Sequence, residues 1–290
     1  QTNNITLPRG WKPIGTSKKK LFAGYLDGNG KTVSIPSGEL PLLGYIKGAE
    51  VHNLKIYGKK IAGYGLVNNF EGVGFNGSAI IIDNVTLKSG SSTLKSGLIG
   101  ANITENSFAG TSAGFVATIR NCTIESGVVV GYDKDQTIIG GIAGRMQGVI
   151  ENCVSHATVY GKSYVGGIVG KVQQGSLTGC SFSGSVSTGA KGSTAYAGGL
   201  VGYAGNSASQ SASFSSCSNA GSVSGGVAGG IVGYAKYTTI ENSYNTGSVT
   251  GTSRAGGICG QRQNSGSSER CYSTGAISGS DTASDIGDFL

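Results

Sequence analysis

Proline, methionine, tryptophan and histidine are nearly missing from this chain, at four, one, one and two residues of 290. Charged residues make up only 13% of it. No apolar run is long enough to cross a membrane, so no transmembrane segment is expected. No collagen triplet repeats, and no CxxC pair occurs. His52 and His156 are isolated, so a zinc or other metal site is not expected. P-loop and HExxH motifs are both lacking, which removes the commonest signatures of nucleotide and metalloprotease chemistry and implies no cofactor. Arg-rich or aromatic-interleaved basic motifs are also missing, so no nucleic-acid partner is expected.

What is present instead is glycine, 53 residues of it. Such a load suggests low complexity, but periodic Ile, Val and Leu argue against disorder. The length suits one large domain or two small ones. A start at Gln1, with neither Met nor a signal peptide, reads as a trimmed or processed piece. The positive charge is uneven. Residues 1–60 hold ten Lys or Arg against three acids, whereas residues 61–290 hold twelve of each. The excess includes Lys18, Lys19 and Lys20, a basic patch that would suit anionic glycan or lipid head groups. A solvated cap explains so short a run better.

Repetition is the main signal. The word GGIVG recurs as GGIAG at Gly140, GGIVG at Gly166, GGLVG at Gly198, GGIVG at Gly229 and GGICG at Gly256, at intervals of 26, 32, 31 and 27 residues. Eroded copies lie at Gly97–Gly100 and Gly65–Asn68. A second word follows in each unit: IENC at Ile150, LTGC at Leu177, FSSC at Phe214, IENS at Ile240 and SERC at Ser268, with earlier relatives at Ile119, Ile82 and Val51. A third apolar pulse comes six residues after the Cys position, at Val159, Val186, Val223, Val249 and Ile277.

Three short pulses per unit suit three short strands rather than a helix. One unit cannot bury its apolar side alone, but stacked units can, which points to a parallel β-solenoid. About nine coils at roughly 4.8 Å each would make a rod of about 40 Å. Equivalent residues then form ladders. Asn53, Asn84, Asn121, Asn152 and Asn242 share one turn position, where Asn tolerates left-handed backbone. Ile142, Ile168, Leu200, Ile231 and Ile258 should point inward, and spacing alone leaves the direction of the next residue open. The paired glycines mark either positive φ or a place where a Cβ would clash. Cys122, Cys153, Cys180, Cys217 and Cys271 also share a position, and read as an inward ladder of small thiols rather than disulfides. Cys259 reads as core.

The glycine word followed by I-x-N-C and G-S-V resembles the GLUG repeat of bacterial surface proteins, closely over Gly97–Gly279 and more loosely over Tyr45–Phe70. The segments GWKPIG (Gly10–Gly15) and FAGYLDGNGKTVSI (Phe22–Ile35) resemble the stretch that often precedes such repeats. The resemblance implies a right-handed β-helix, as in adhesin-like proteins and the non-catalytic part of immunoglobulin A peptidases, and exposure outside the cytoplasm. It identifies architecture far better than function. The organisation expected is a cap at residues 1–35 that includes Trp11, repeats over 36–280, and an edge or cap over 281–290.

Candidate sites are few. Glu241 and Glu269 occupy equivalent positions in adjacent coils, within the separation of a retaining glycosidase pair. Their column otherwise reads His52, Asp83, Arg120, Glu151, Thr178 and Ser215, the variety of an exposed face. Asp133-Lys134-Asp135 and the DGNG turn at Asp27 suit loop tips better than calcium sites. Tyr203 and Tyr234 should stack on one face, and Tyr244 and Tyr272 on a second. With Tyr237 they form the candidate ligand-binding set, for sugar rings or a partner protein, although mutual stabilisation explains such columns more simply. Insertions at Phe70–Ser78, Ala101–Gly114 and Gly205–Ser213 should project as loops. The expectation is a non-catalytic cell-surface or secreted module that adheres to a glycan or a host or partner protein. The rivals are a β-helical polysaccharide lyase or hydrolase and a structural stalk. The oligomeric state stays open.

Overall fold

The computed structural model describes residues 2–17, 19–70, 80–100, 117–132 and 135–283. Among them there is no α-helix. Nearly every strand pairs in parallel with its counterpart one repeat away, giving a β-solenoid of about nine turns. Lys18, Asp133 and Lys134, the insertions at 71–78 and 101–114, and residues 284–290 lie outside the described residues.

The coil from Val201 shows how the words build a turn of the solenoid. Its strands are Val201–Ala204, Ala212–Ser215, Ser218–Asn219 and Ser222–Gly229. The two-residue strand Ser218–Asn219 is a side that the three apolar pulses do not announce, because it contributes a single inward residue between two corners.

The I-x-N-C word has a simple mechanical reading. A strand alternates inward and outward residues, so two inward positions are normally two apart. Here Ile150 and Cys153 are both buried although three apart, with Glu151 and Asn152 between them. Asn152 stands at φ 51°, and that one left-handed residue turns the corner and resets the alternation. The same position carries Asn53, Asn84, Asn121 and Asn242 at φ between 48° and 55°, and Gly179, Ser216 and Arg270 also sit there at positive φ. Amide stacking is only partial: Asn84 donates to Asn53 (2.9 Å), but Asn121 donates to Asp83 (2.8 Å), and Asn242 accepts from Arg270 (2.7 Å). Asn152 is exposed, so its backbone conformation should dominate its contribution. Asn152→Ala should cost about 1–2 kcal/mol and Asn152→Gly roughly nothing, read as shifts in the urea midpoint.

The core is a set of continuous columns. Val51, Ile82, Ile119, Ile150, Leu177, Phe214 and Ile240 follow one another in register, all buried. Ile142, Ile168, Leu200, Ile231 and Ile258 are fully buried too. The residue after each is also buried, from Ala143 to Cys259, because a corner separates the two. All six cysteines are free and buried. Each ladder thiol donates to carbonyls of its own and the preceding coil, as Cys153 does to Glu151 (3.3 Å) and Ile119 (3.8 Å). Contact with the neighbouring thiols, with burial, pushes Cys153 and Cys217 well above the ordinary thiol range.

The N-terminal segment joins the same stack. Ile5–Thr6 pairs with Thr32–Ser34, which pairs with Glu50–Tyr57, and Trp11 packs on the core while donating to Pro41 O (3.2 Å). At the other end Val249–Gly256 pairs with Ile277–Ala283.

Candidate functional site

The glycine word draws two strands together at a corner. At Gly166, Gly198 and Gly229 an added Cβ would land on the carbonyl oxygen three residues ahead, that of Val169, Val201 and Val232 respectively. None of these glycines has positive φ, so close backbone approach is their reason. On the two strands that meet there, tyrosines form two short columns. Tyr164 and Tyr196 stack at 5.7 Å, and Tyr203 and Tyr234 at 4.8 Å. The columns touch each other, with Tyr196 lying 4.8 Å from Tyr234 and Tyr164 lying 5.5 Å from Tyr203. Tyr164 and Tyr196 had no place among the sequence candidates. The signal was available, since both stand two residues before a GG word.

This cluster is largely packed against itself. Tyr234 is 6% exposed and its hydroxyl donates to Gln263 Oε1. Burial, reinforced by the neighbouring phenols, pushes Tyr203 up to about 12. Its N-terminal end is basic. Arg145 and Lys171 precede Tyr203 in the same column, and Lys171 Nζ lies 4.8 Å over the Tyr203 ring. Burial lowers the Lys171 pKa, and the charges of Arg145 and Lys236 push the same way.

Tyr244 and Tyr272 are differently placed. Their rings are parallel to within 6° at 5.2 Å, and Tyr244 is 38% exposed. The preceding residues of that column are Ser218 and Ser181, so a flat aromatic step stands above two small hydroxyl residues.

The carboxylates Glu241 and Glu269 are indeed in register. Arg270, on the left-handed corner, reaches both, at 3.4 Å and 3.8 Å. One guanidinium thus engages both carboxylates in a surface ion-pair cluster, rather than leaving a free pair of acids.

Elsewhere, His52 contacts Glu50 (3.1 Å) and Asp83 (3.6 Å) and stacks on Tyr25 at 5.0 Å. Arg120 pairs with Asp83 at 3.0 Å. Partial burial works against the Asp83 carboxylate, but the Asn121 amide and Arg120 outweigh it and hold its pKa below the usual value. The DGNG turn closes on itself, with Asn29 N donating to Asp27 Oδ1 (2.8 Å). Lys19 and Lys20 are exposed. Among the described residues no group of His, Cys, Asp and Glu could hold a metal ion, and no helix is long and apolar enough to cross a membrane.

Residues 161–187 and 224–250 each match the family model of the GLUG motif. The chain is a β-solenoid that carries two GLUG motifs. Each matched stretch spans a GG word, and in the solenoid each covers about one turn. A crystal structure of a "putative immunoglobulin A1 protease" from Bacteroides ovatus is similar at 18% identity over 98% of this chain and 76% of that chain, with a TM-score of 0.49. So loose a likeness adds nothing to the argument for the GLUG solenoid. A search of curated proteins gave no significant match.

Proposed function

We propose that this GLUG solenoid is a non-catalytic module that works outside the cell and adheres to glycans through its exposed aromatic column. The observation that carries this is the Tyr244–Tyr272 stack. Two parallel, stacked rings, partly open to solvent and preceded by serines, offer the apolar surface and neighbouring hydroxyls that a sugar ring matches. The rigid ladder beneath holds the rings in place without an ordering cost on binding. The resemblance of the repeats to those of surface proteins supports the extracellular setting. The Glu241–Arg270–Glu269 arrangement supports a binding role over hydrolysis.

The test is a glycan and matrix-protein array probed with the whole chain. Tyr244→Ala should weaken the strongest glycan signal about tenfold, with the thermal midpoint nearly unchanged. Tyr234→Ala should instead lower the midpoint, because that ring is packed. Absence of any glycan signal would sink the proposal. So would depolymerisation of an acidic polysaccharide that Glu241→Gln abolishes.

A further inference from the structure

One corner of the solenoid departs from the repeat, and a pocket opens there. The inner strand that follows each GG word is in register through Met146, Val172, Ala204 and Ala235, and the next strand resumes at Gly148, Gly175, Ala212 and Thr238. Between them the chain uses Gln147 alone, then Gln173 and Gln174, then the loop Gly205–Ser211, then Lys236 and Tyr237. The register shift at Gln147 is a bulge, a device that re-aims side chains locally. The loop is fastened to itself, with Asn206 bonded to Gln210 through backbone (3.0 Å) and side chain (2.5 Å).

Beneath that loop lies an open pocket of about 310 Å³ bounded by Gln174, Ser211, Ala212, Ser213, Tyr237 and Thr239, with the Gly175 backbone. Its chemistry is uniform. Three aliphatic hydroxyls, a phenol and a carboxamide accompany the Ala212 methyl, and no carboxylate, ammonium or guanidinium lines it. Gln174 Oε1 accepts from Gln147 Nε2 (3.2 Å), which orients the amide. Tyr237 stands at φ 48°, a conformation that bulky residues rarely adopt and that the glycines and asparagines of this chain adopt freely. A large aromatic held in that conformation at a pocket rim marks the position as one where the ring matters.

We propose that this pocket binds one neutral sugar unit, with Tyr237 covering an apolar ring face and Gln174, Ser211, Ser213 and Thr239 reading the hydroxyls. This deepens the glycan-binding reading and rests on it. The volume lies at the lower limit of ligand sites, roughly 300–1,000 Å³, which suits one ring rather than an oligosaccharide. The open side leaves room for the rest of a polymer. Lys236 Nζ lies 5.8 Å from the Tyr237 ring centre, just outside the lining, so an acidic sugar is the rival occupant.

The experiment is saturation-transfer NMR on the whole chain with the methyl glycosides of glucose, galactose and mannose, with N-acetylglucosamine, and with glucuronate. At least one neutral probe should show transfer that falls at least about fivefold in Tyr237→Gly and in Thr239→Lys. Glycine suits the left-handed position and lysine at exposed Thr239 intrudes on the pocket, so both variants should stay folded. Transfer should survive in Tyr244→Ala. The pocket proposal is overturned by transfer that ignores both pocket variants, by silence from every neutral probe, or by glucuronate-only binding lost in Lys236→Ala. If array binding fails in Tyr244→Ala while NMR transfer is absent or ignores both pocket variants, glycan adhesion stands and the pocket proposal falls. If the array is silent as well, both fall.

Discussion

Gly229→Ala is expected to leave the chain unable to fold to its native state. The new Cβ would lie 2.0 Å from the Val232 carbonyl oxygen and 2.5 Å from Gly260 N. Both neighbours are backbone, one in the same coil and one in the next, and neither can move without breaking a ladder. Buried steric conflicts of this kind fall in the range above about 4 kcal/mol. A solenoid gains its stability from contact between neighbouring coils, so a coil that cannot close also strips its neighbours of their partner. Gly30→Ala is the control. Gly30 has φ 69° but nothing within 4 Å of its added Cβ, so it should cost only about 1–2 kcal/mol. Circular dichroism and thermal unfolding of the two variants separate the cases. A Gly229→Ala protein that melts like the parent would mean that the corner can open.

Asn245→Leu should cost about 3–5 kcal/mol, although Asn245 stands in a column that is apolar toward the N-terminus. That column runs Ile56, Leu87, Ile124, Ser155, Phe182, Asn219, Asn245 and Ser273. Asn219 and Asn245 are fully buried. The Asn245 amide donates to Gly247 O (2.9 Å) and Ser273 Oγ (3.0 Å), while its Oδ1 accepts from Gly247 N (3.2 Å) and Asn219 Nδ2 (2.7 Å). Asn219 holds Gly221 in the same way. Leucine would leave the Gly247 backbone and the Asn219 amide short of partners inside the core, at about 1–3 kcal/mol for each unsatisfied group. The double variant Asn219→Leu/Asn245→Leu should cost less than the sum of the singles by about 1 kcal/mol, since their shared bond can be lost only once. Urea titrations of the four proteins close the cycle. Strict additivity would mean that the two amides do not act as a ladder.

The solenoid was legible because its information is local and repeated. The I-x-N-C word encodes two inward residues and the left-handed corner between them, and it says so several times over. The GG word was legible as a corner, but not for its cause. Positive φ and backbone crowding both call for glycine, and only the approach of Val232 O to Gly229 shows that crowding is the reason. The buried asparagines went unread for a related reason. An N-x-G-S-V string in two coils was visible, but an amide beside glycine resembles an exposed turn until the column is known to face inward.

The candidate site was legible only as columns of tyrosines. Repeat spacing places Tyr203 over Tyr234 and Tyr244 over Tyr272, because strand register follows from the repeat. It does not tell which pair is open. Tyr234 is enclosed because Tyr196 approaches from a different strand across the glycine corner, whereas Tyr244 has only serines before it. Nor could spacing foresee Arg270 between Glu241 and Glu269, since that contact joins two different positions of neighbouring repeats. By itself, then, the sequence determined the coil, its register and its inward columns, all of which depend on neighbours one repeat apart. Only the tertiary structure decided which side chains are exposed, where charge is neutralised and where a pocket opens. Those depend on strands meeting across a corner, and no spacing along the chain records that meeting.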